Sequence, residues 1–292
     1  MIPPDGRFSG HGKLWEYYHF LIDFAPRVVY YMQNQTCTRT VLYVPGWYRN
    51  GYFMFRLSRT DRTMKPLADW LFSPWGGLRQ VPYGPGKAPT SPDVVELPFH
   101  PHSSPPWSNQ PKEWLHTFRA HAWRLAKAQA PPASAFEVLV VRRTNPNAVP
   151  GKPRQCFRPV YCNTGGARRS LPPAFFAAAS AHLTRLNVSF SIVELAGRTL
   201  EDQVRLFAQA TVVLGMHGAG LSNTVFSPPG AILVEYGLRA NFCYQHLAAK
   251  MGLGYVHAQD GGKQYGAATH KAVAKAVATA RRTFRLRSGG GS

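Results

Sequence analysis

Short apolar runs alternate with amphipathic stretches through the second half of the chain. The rhythm predicts strands over Phe136–Val141, Val188–Val193, Val212–Leu214, Ile232–Glu235 and Tyr255–His257. Between them it predicts helices over Pro173–Leu186, Leu200–Ala210, Leu221–Phe226 and Cys243–Met251. Val212-Val213-Leu214 and Ile232-Leu233-Val234 are apolar at every position, as suits strands covered on both faces in a parallel sheet. Thr199 is a suitable cap for the helix that follows, with Asp202 three residues on. The expected fold class is α/β, with a doubly wound second half.

The first half is less regular. Residues 14 to 32 form an apolar, aromatic run that reads as a helix interrupted or ended at Pro26, with Val28 to Tyr31 as an alternative strand start. Val41 to Val44 read as a short strand, and Lys112 to Ala130 as a helix. From Pro45 to Pro111 the chain is rich in Pro, Gly and Trp, which predicts long irregular loops, either a binding loop or a disordered insert. Ala130-Pro131-Pro132 is the expected interdomain link, giving domains 1–130 and 131–285 and a flexible tail over 286–292.

A hydrophobic content of 45% fits a globular chain and excludes wholesale disorder. The net charge of +20 points to polyanionic partners, but the basic residues come in dispersed pairs such as Arg142-Arg143, Arg168-Arg169 and Arg281-Arg282. No RNA-binding signature accompanies them, so nucleic acid is an alternative partner rather than the expected one. The four cysteines, at 37, 156, 162 and 243, contain no C-x-x-C pair and do not suggest zinc. Asn34-Gln35-Thr36 and Asn187-Val188-Ser189 are sequons compatible with a secretory route, while no signal peptide or membrane-spanning run is visible in the sequence.

The chemistry concentrates in TVVLGMHGAGLSNTVFSPPGAILVEY, residues 211 to 236. Its glycine-rich turn sits at the carboxyl end of one predicted strand and the amino end of a helix, where unpartnered N–H groups and the helix dipole favour an anion. The glycines read G-x-x-G-x-G late in the chain, unlike the dinucleotide fingerprint. An esterase oxyanion loop would need a G-x-S-x-G elbow, and the sequence has none. Open sheets of this type bind ligands beyond the carboxyl ends of their strands, where Arg142, His217 and Glu235 are all expected.

GMHGAGLSNTVFSPPGAILVEY resembles the carboxyl-terminal signature of glycosyltransferase family 61, which reads roughly G-x-H-G-A-G-L-x-N-x-x-F, then Pro-Gly, then a strand ending in Glu. LEDQVRLFAQATVVLG (Leu200 to Gly215) is similar to the family's lead-in, with Asp202 where Glu is usual. VLVVRR (Val138 to Arg143) resembles its arginine-ended strand, and HFLIDFAPR (His19 to Arg27) its amino-terminal H-W-L-x-D-x-L-P-R. The similarity covers residues 15 to 32 and 136 to 257, and Tyr17 and Tyr18 depart from the family's Asn and Gly. It implies an inverting transferase of GT-B architecture with two Rossmann-like domains, the donor nucleotide on the carboxyl-terminal one. It also implies a UDP-sugar donor carrying xylose, arabinose or N-acetylglucosamine, a glycan or glycoprotein acceptor, and a Golgi or endoplasmic reticulum lumen address.

Such transfer requires a stabilised diphosphate leaving group and a base for the acceptor hydroxyl. The seven aspartates and seven glutamates include no D-x-D, so no metal or other cofactor is expected beyond the donor itself. Arg142 is the expected phosphate clamp, His217 a phosphate-facing N–H, and Glu235 an acceptor for ribose hydroxyls. Gly218, Ala219, Gly220, Leu221 and Asn223 complete the expected donor set. His19 and Asp23, four apart on a helix, form a candidate base and orienter; Asp23 as direct base is the rival, and Asp23 could instead pair with Arg27. Two other readings stand beside transfer: a non-catalytic nucleotide- or glycan-binding relative, and a basic nucleic-acid-binding protein.

Overall fold

The computed structural model describes residues 20–34, 42–45, 66–76, 78–81, 110–132, 137–143, 170–237, 242–260 and 263–289. The chain divides into two compact units, Met1–Leu125 and Ala126–Ser292.

In the first unit, a π-helical turn at Phe20–Phe24 leads directly into α1 (Ala25–Gln33). Pro26 therefore does not end the helix, and Val28 to Tyr31 are helical rather than extended. Pro26 has no N–H to donate to the turn before it, and it sits where the helix changes from π-helical to α-helical winding. Leu21, Ile22, Ala25, Val28, Val29 and Met32 form its buried side. β1 (Leu42–Pro45) stands where a short strand is expected and pairs in parallel with β2 (Leu78–Val81), and the Pro/Gly-rich region contains regular structure in β2, the short helix α2 over 66–71 and a 3-10 turn at Ser73–Trp75. α3 (Lys112–Ala126) stops four residues short of the expected Ala130. Its His121, 1% exposed, donates from Nε2 to the Leu71 carbonyl at 2.8 Å and receives the Gln33 amide and Arg124 guanidinium at Nδ1. A ring so placed is held neutral: burial pushes it below the usual histidine value and the Arg124 charge adds to this, against the Leu71 bond.

The second unit is a five-stranded, wholly parallel sheet in the order β4-β3-β5-β6-β7. Its strands are β3 (Glu137–Arg142), β4 (Ser189–Glu194), β5 (Val212–Met216), β6 (Ile232–Tyr236) and β7 (Gly254–Ala258). Each lies within about two residues of its expected bounds, because an uninterrupted apolar run bounded by turn residues leaves little choice of position. Helices α4 (Pro173–Arg185), α5 (Leu200–Gln209) and α6 (Cys243–Met251) also stand where expected. Thr199 caps α5 by accepting from the Asp202 N–H at 3.1 Å. The segment after β5 is a 3-10 helix, Ala219–Phe226, starting two residues earlier than the helix expected there.

Side chains alternate across the sheet. Val138, Val140, Val212, Leu214, Ile232 and Val234 join a core with Phe175, Phe176, Ala179 and Leu183 of α4 and with a long last helix, α7 (Ala267–Gly289). On the other face α5 and α6 pack against the 3-10 helix. The sequence reading had no helix at α7, whose inner stripe consists of Ala272, Val273, Ala276, Val277, Ala280 and Phe284. Asp260 fixes its start: the carboxylate accepts from the N–H groups of Gly266, Ala268 and Thr269 at 3.1, 2.9 and 2.9 Å, and from the Thr269 hydroxyl. These donors hold the carboxyl below its usual range although burial pushes the other way. Beneath α7, His182 Nδ1 meets the Tyr265 hydroxyl at 2.9 Å, and its ring lies 4.2 Å from that of His270.

Candidate functional site

The strand order reverses between β3 and β5: the chain leaves β3 for β4 on one side, then crosses back to build β5, β6 and β7 on the other. At such a switch point the neighbouring crossovers run to opposite faces, and a crevice opens beyond the carboxyl ends of the two strands. The residues there are Arg142, the last of β3, and His217, directly after β5. The register places Val141 beside Gly215, and Gly215 in turn beside Glu235 of β6.

Bare backbone is needed here for a definite reason. A Cβ on Gly215 would lie 2.6 Å from Leu221 Cδ2 and 3.3 Å from Val141 Cβ. On Gly220 it would lie 3.3 Å from Leu195 Cδ1. The turn is thus pressed onto the ends of β3 and β4, and only glycine lets the 3-10 helix start so close to the sheet. Leu221 and Asn223, both in the expected donor set, point inward and are 1% and 0% exposed. Leu221 fills the space above Gly215. The Asn223 amide donates to Gln203 Oε1 at 3.0 Å and to the Gly220 carbonyl at 3.1 Å, fastening the turn to α5.

His217 is held on several sides. Its N–H donates to the Tyr236 carbonyl at 3.0 Å, its Nδ1 donates to Glu235 Oε1, and the Tyr244 ring meets it edge-on at 5.2 Å. Tyr244 also donates its hydroxyl to the Gly218 carbonyl, tying the turn to α6. Glu235 is 1% exposed, and its other oxygen accepts from the Tyr255 hydroxyl at 2.6 Å. A carboxylate can only accept, so Nδ1 carries the proton and the tautomer of His217 is fixed, leaving Nε2 as the ring atom for other chemistry. Glu235, expected to meet ribose hydroxyls, has one oxygen bonded to His217 and the other to Tyr255.

Gly218 is buried and Gly220 half-buried, at the start of the 3-10 helix together with Ala219. The first N–H groups of such a helix point away from it and have no acceptor within it. Arg142 is exposed, in register with Glu194 of β4. Tyr244 and Tyr255 are the members of the site that sequence reasoning missed; both are common core residues, and no spacing pattern links them to His217.

Of the candidate base pair, His19 lies outside the described residues, as do Cys37, Cys156 and Cys162. Asp23 is 3% exposed, within the π-helical turn, and its backbone carbonyl accepts from Gln110 Nε2 at 3.1 Å. Its charge acts on Arg27: burial lowers the guanidinium from its ordinary value, and Asp23 raises it.

No helix of the described residues is long and apolar enough to cross a membrane. A sequence-family model described as Glycosyltransferase 61 matches residues 17–234. No curated protein matches the chain.

Proposed function

Because the chain belongs to glycosyltransferase family 61 and is therefore a glycosyltransferase, we propose that it transfers a sugar from a UDP-sugar, with inversion and without a divalent ion, to a hydroxyl of a glycan or glycoprotein. The donor nucleotide occupies the switch-point crevice of the second unit in a GT-B arrangement. The observation that carries this reading is the pinned imidazole at the head of a bare turn: His217 has Nδ1 committed to buried Glu235, and the 3-10 helix begins beside it.

In the transfer step the bond from the anomeric carbon to the diphosphate oxygen breaks as the acceptor oxygen attacks from the opposite side. Negative charge grows on the diphosphate. N–H groups of Gly218, Ala219 and Gly220, the His217 ring through Nε2 and the Arg142 guanidinium meet it, and such fixed groups act strongly where water is excluded. Glu235 holds the His217 ring and Tyr255 steadies Glu235. His19 accepts the acceptor proton with Asp23 as its orienter. The absence of any D-x-D supports a leaving group met by cationic side chains and amides. The two sequons support an address in the Golgi or endoplasmic reticulum lumen, and Asn187 is exposed between α4 and β4. Xylose, arabinose and N-acetylglucosamine are the sugars proposed.

Thermal-shift titration with UDP and with the three UDP-sugars, each with and without EDTA, tests the reading. Ligand that binds only the folded state raises the melting temperature. A shift with UDP compounds that survives EDTA, and a UDP affinity lowered roughly tenfold or more in His217→Ala and Arg142→Ala, are expected for lost charge-assisted bonds. His19→Ala is expected to keep UDP binding and lose turnover. Absence of any shift with UDP compounds, or a shift abolished by EDTA, would refute the donor assignment as proposed.

A further inference from the structure

Among the described residues, one large apolar side chain stands exposed: Phe242, at 51%. It immediately precedes α6, the helix that follows the carboxyl end of β6, so it lies on the same edge of the sheet as the His217 turn. The Phe242 ring stacks on that of His246, one helical turn on, with centroids 6.3 Å apart and planes 18° from parallel. The backbone underneath is fixed, since the His246 N–H donates to the Phe242 carbonyl at 2.9 Å. Two residues along, buried Tyr244 donates to the Gly218 carbonyl and sets its ring against His217. The exposed Phe242, the half-buried His246 and the turn are therefore parts of one assembly, joined through Tyr244.

We propose that Phe242, backed by His246, is the stacking platform for the nucleobase of the donor nucleotide. This rests on the donor reading above and extends it, since that reading concerns the diphosphate and assigns no residue to the base. A nucleoside diphosphate held by its phosphates at the turn extends its ribose and base along the carboxyl edge of the sheet, where α6 begins. A flat, polarisable base covers the exposed Phe242 face, removing apolar surface from water as it stacks. A protein partner fits less well, because a lone aromatic is far smaller than the contiguous apolar patches that mark protein interfaces. Every base has a π-face, so the platform provides affinity without choosing the base.

Isothermal titration of the full chain with UDP, ADP and inorganic pyrophosphate separates the parts. In Phe242→Ala, affinity for UDP and ADP is expected to fall about tenfold, as for loss of one base–aromatic stack, while pyrophosphate binds as in the wild type. Phe242→Trp, which keeps a flat ring, is expected to restore nucleotide affinity. Wild-type UDP affinity in Phe242→Ala, or equal losses for UDP and pyrophosphate, overturns the platform. A wild-type chain that binds pyrophosphate no more weakly than UDP also overturns it, leaving the diphosphate site intact. One that binds none of the three ligands overturns the donor reading, and the platform with it.

Discussion

Gly215→Ala asks whether the turn depends on backbone closeness. The added methyl would meet Leu221 Cδ2 at 2.6 Å, Val141 Cβ at 3.3 Å and Leu221 Cγ at 3.5 Å. Leu221 is 1% exposed and Val141 8%, so neither has room to step aside without moving backbone. Overpacking of this kind costs about 1–3 kcal/mol. Leu221 belongs to the 3-10 helix that starts at Ala219, so its displacement also shifts the donors around His217. Leu221→Ala alone removes a buried side chain and costs about 2–5 kcal/mol. In the double variant the new methyl enters the space that Leu221 vacates, and the two losses should sum to more than the observed loss by about 1–2 kcal/mol. Urea unfolding of the three variants followed by circular dichroism gives the cycle, with UDP affinity measured in parallel. Additivity within about 0.5 kcal/mol would refute the reasoning, because it would mean that Leu221 does not fill the space above Gly215.

Two further outcomes follow from the buried polar groups. Burial pushes His121 and His182 below the usual histidine value, with Arg124 adding to the first and His270 and Arg185 to the second. The unfolded chain then binds protons more readily, so stability is complete above about pH 6.5 and falls as pH drops through the lower, folded values; urea midpoints measured from pH 8 to pH 5 should decline, and a flat profile would contradict this. Asp260→Ala removes the acceptor of the Gly266, Ala268 and Thr269 amides at the start of α7 and leaves the hydroxyl of fully buried Thr269 without it, which should cost about 1–2 kcal/mol. Hydrogen exchange should accelerate at residues 266 to 269, and unchanged protection there would refute the capping role.

The second unit was legible in the sequence because its signals are short-range. Val212 to Leu214 and Ile232 to Val234 carry nothing but apolar side chains, and Thr199 with Asp202 marks a helix start within four residues. α7 was harder to see because half of its buried stripe is alanine, which hydrophobic periodicity registers weakly. Pro26 misled in the opposite direction: it reads as a breaker, but the helix passes through it by way of a π-helical turn that is not written in any local pattern. Arg142, His217 and Glu235 were placed at strand ends by sequence, but the bond between His217 and Glu235 spans 18 positions and depends on parallel register. Tyr255 joins them from another strand again, a contact that only the folded sheet creates.

The interior position of β3, between β4 and β5, shapes how the chain emerges from a ribosome. β3 is the first of the five strands to be made, yet the neighbour on its inner side, β5, ends at Met216, 74 residues after Arg142 (216 − 142). At ordinary elongation rates of roughly 5–20 residues per second, Val138 to Val141 wait roughly 4–15 seconds with that flank open. An unpaired flank of four consecutive aliphatic residues is adhesive. Nascent chains stalled between β4 and β5 are thus the species most in need of chaperone cover.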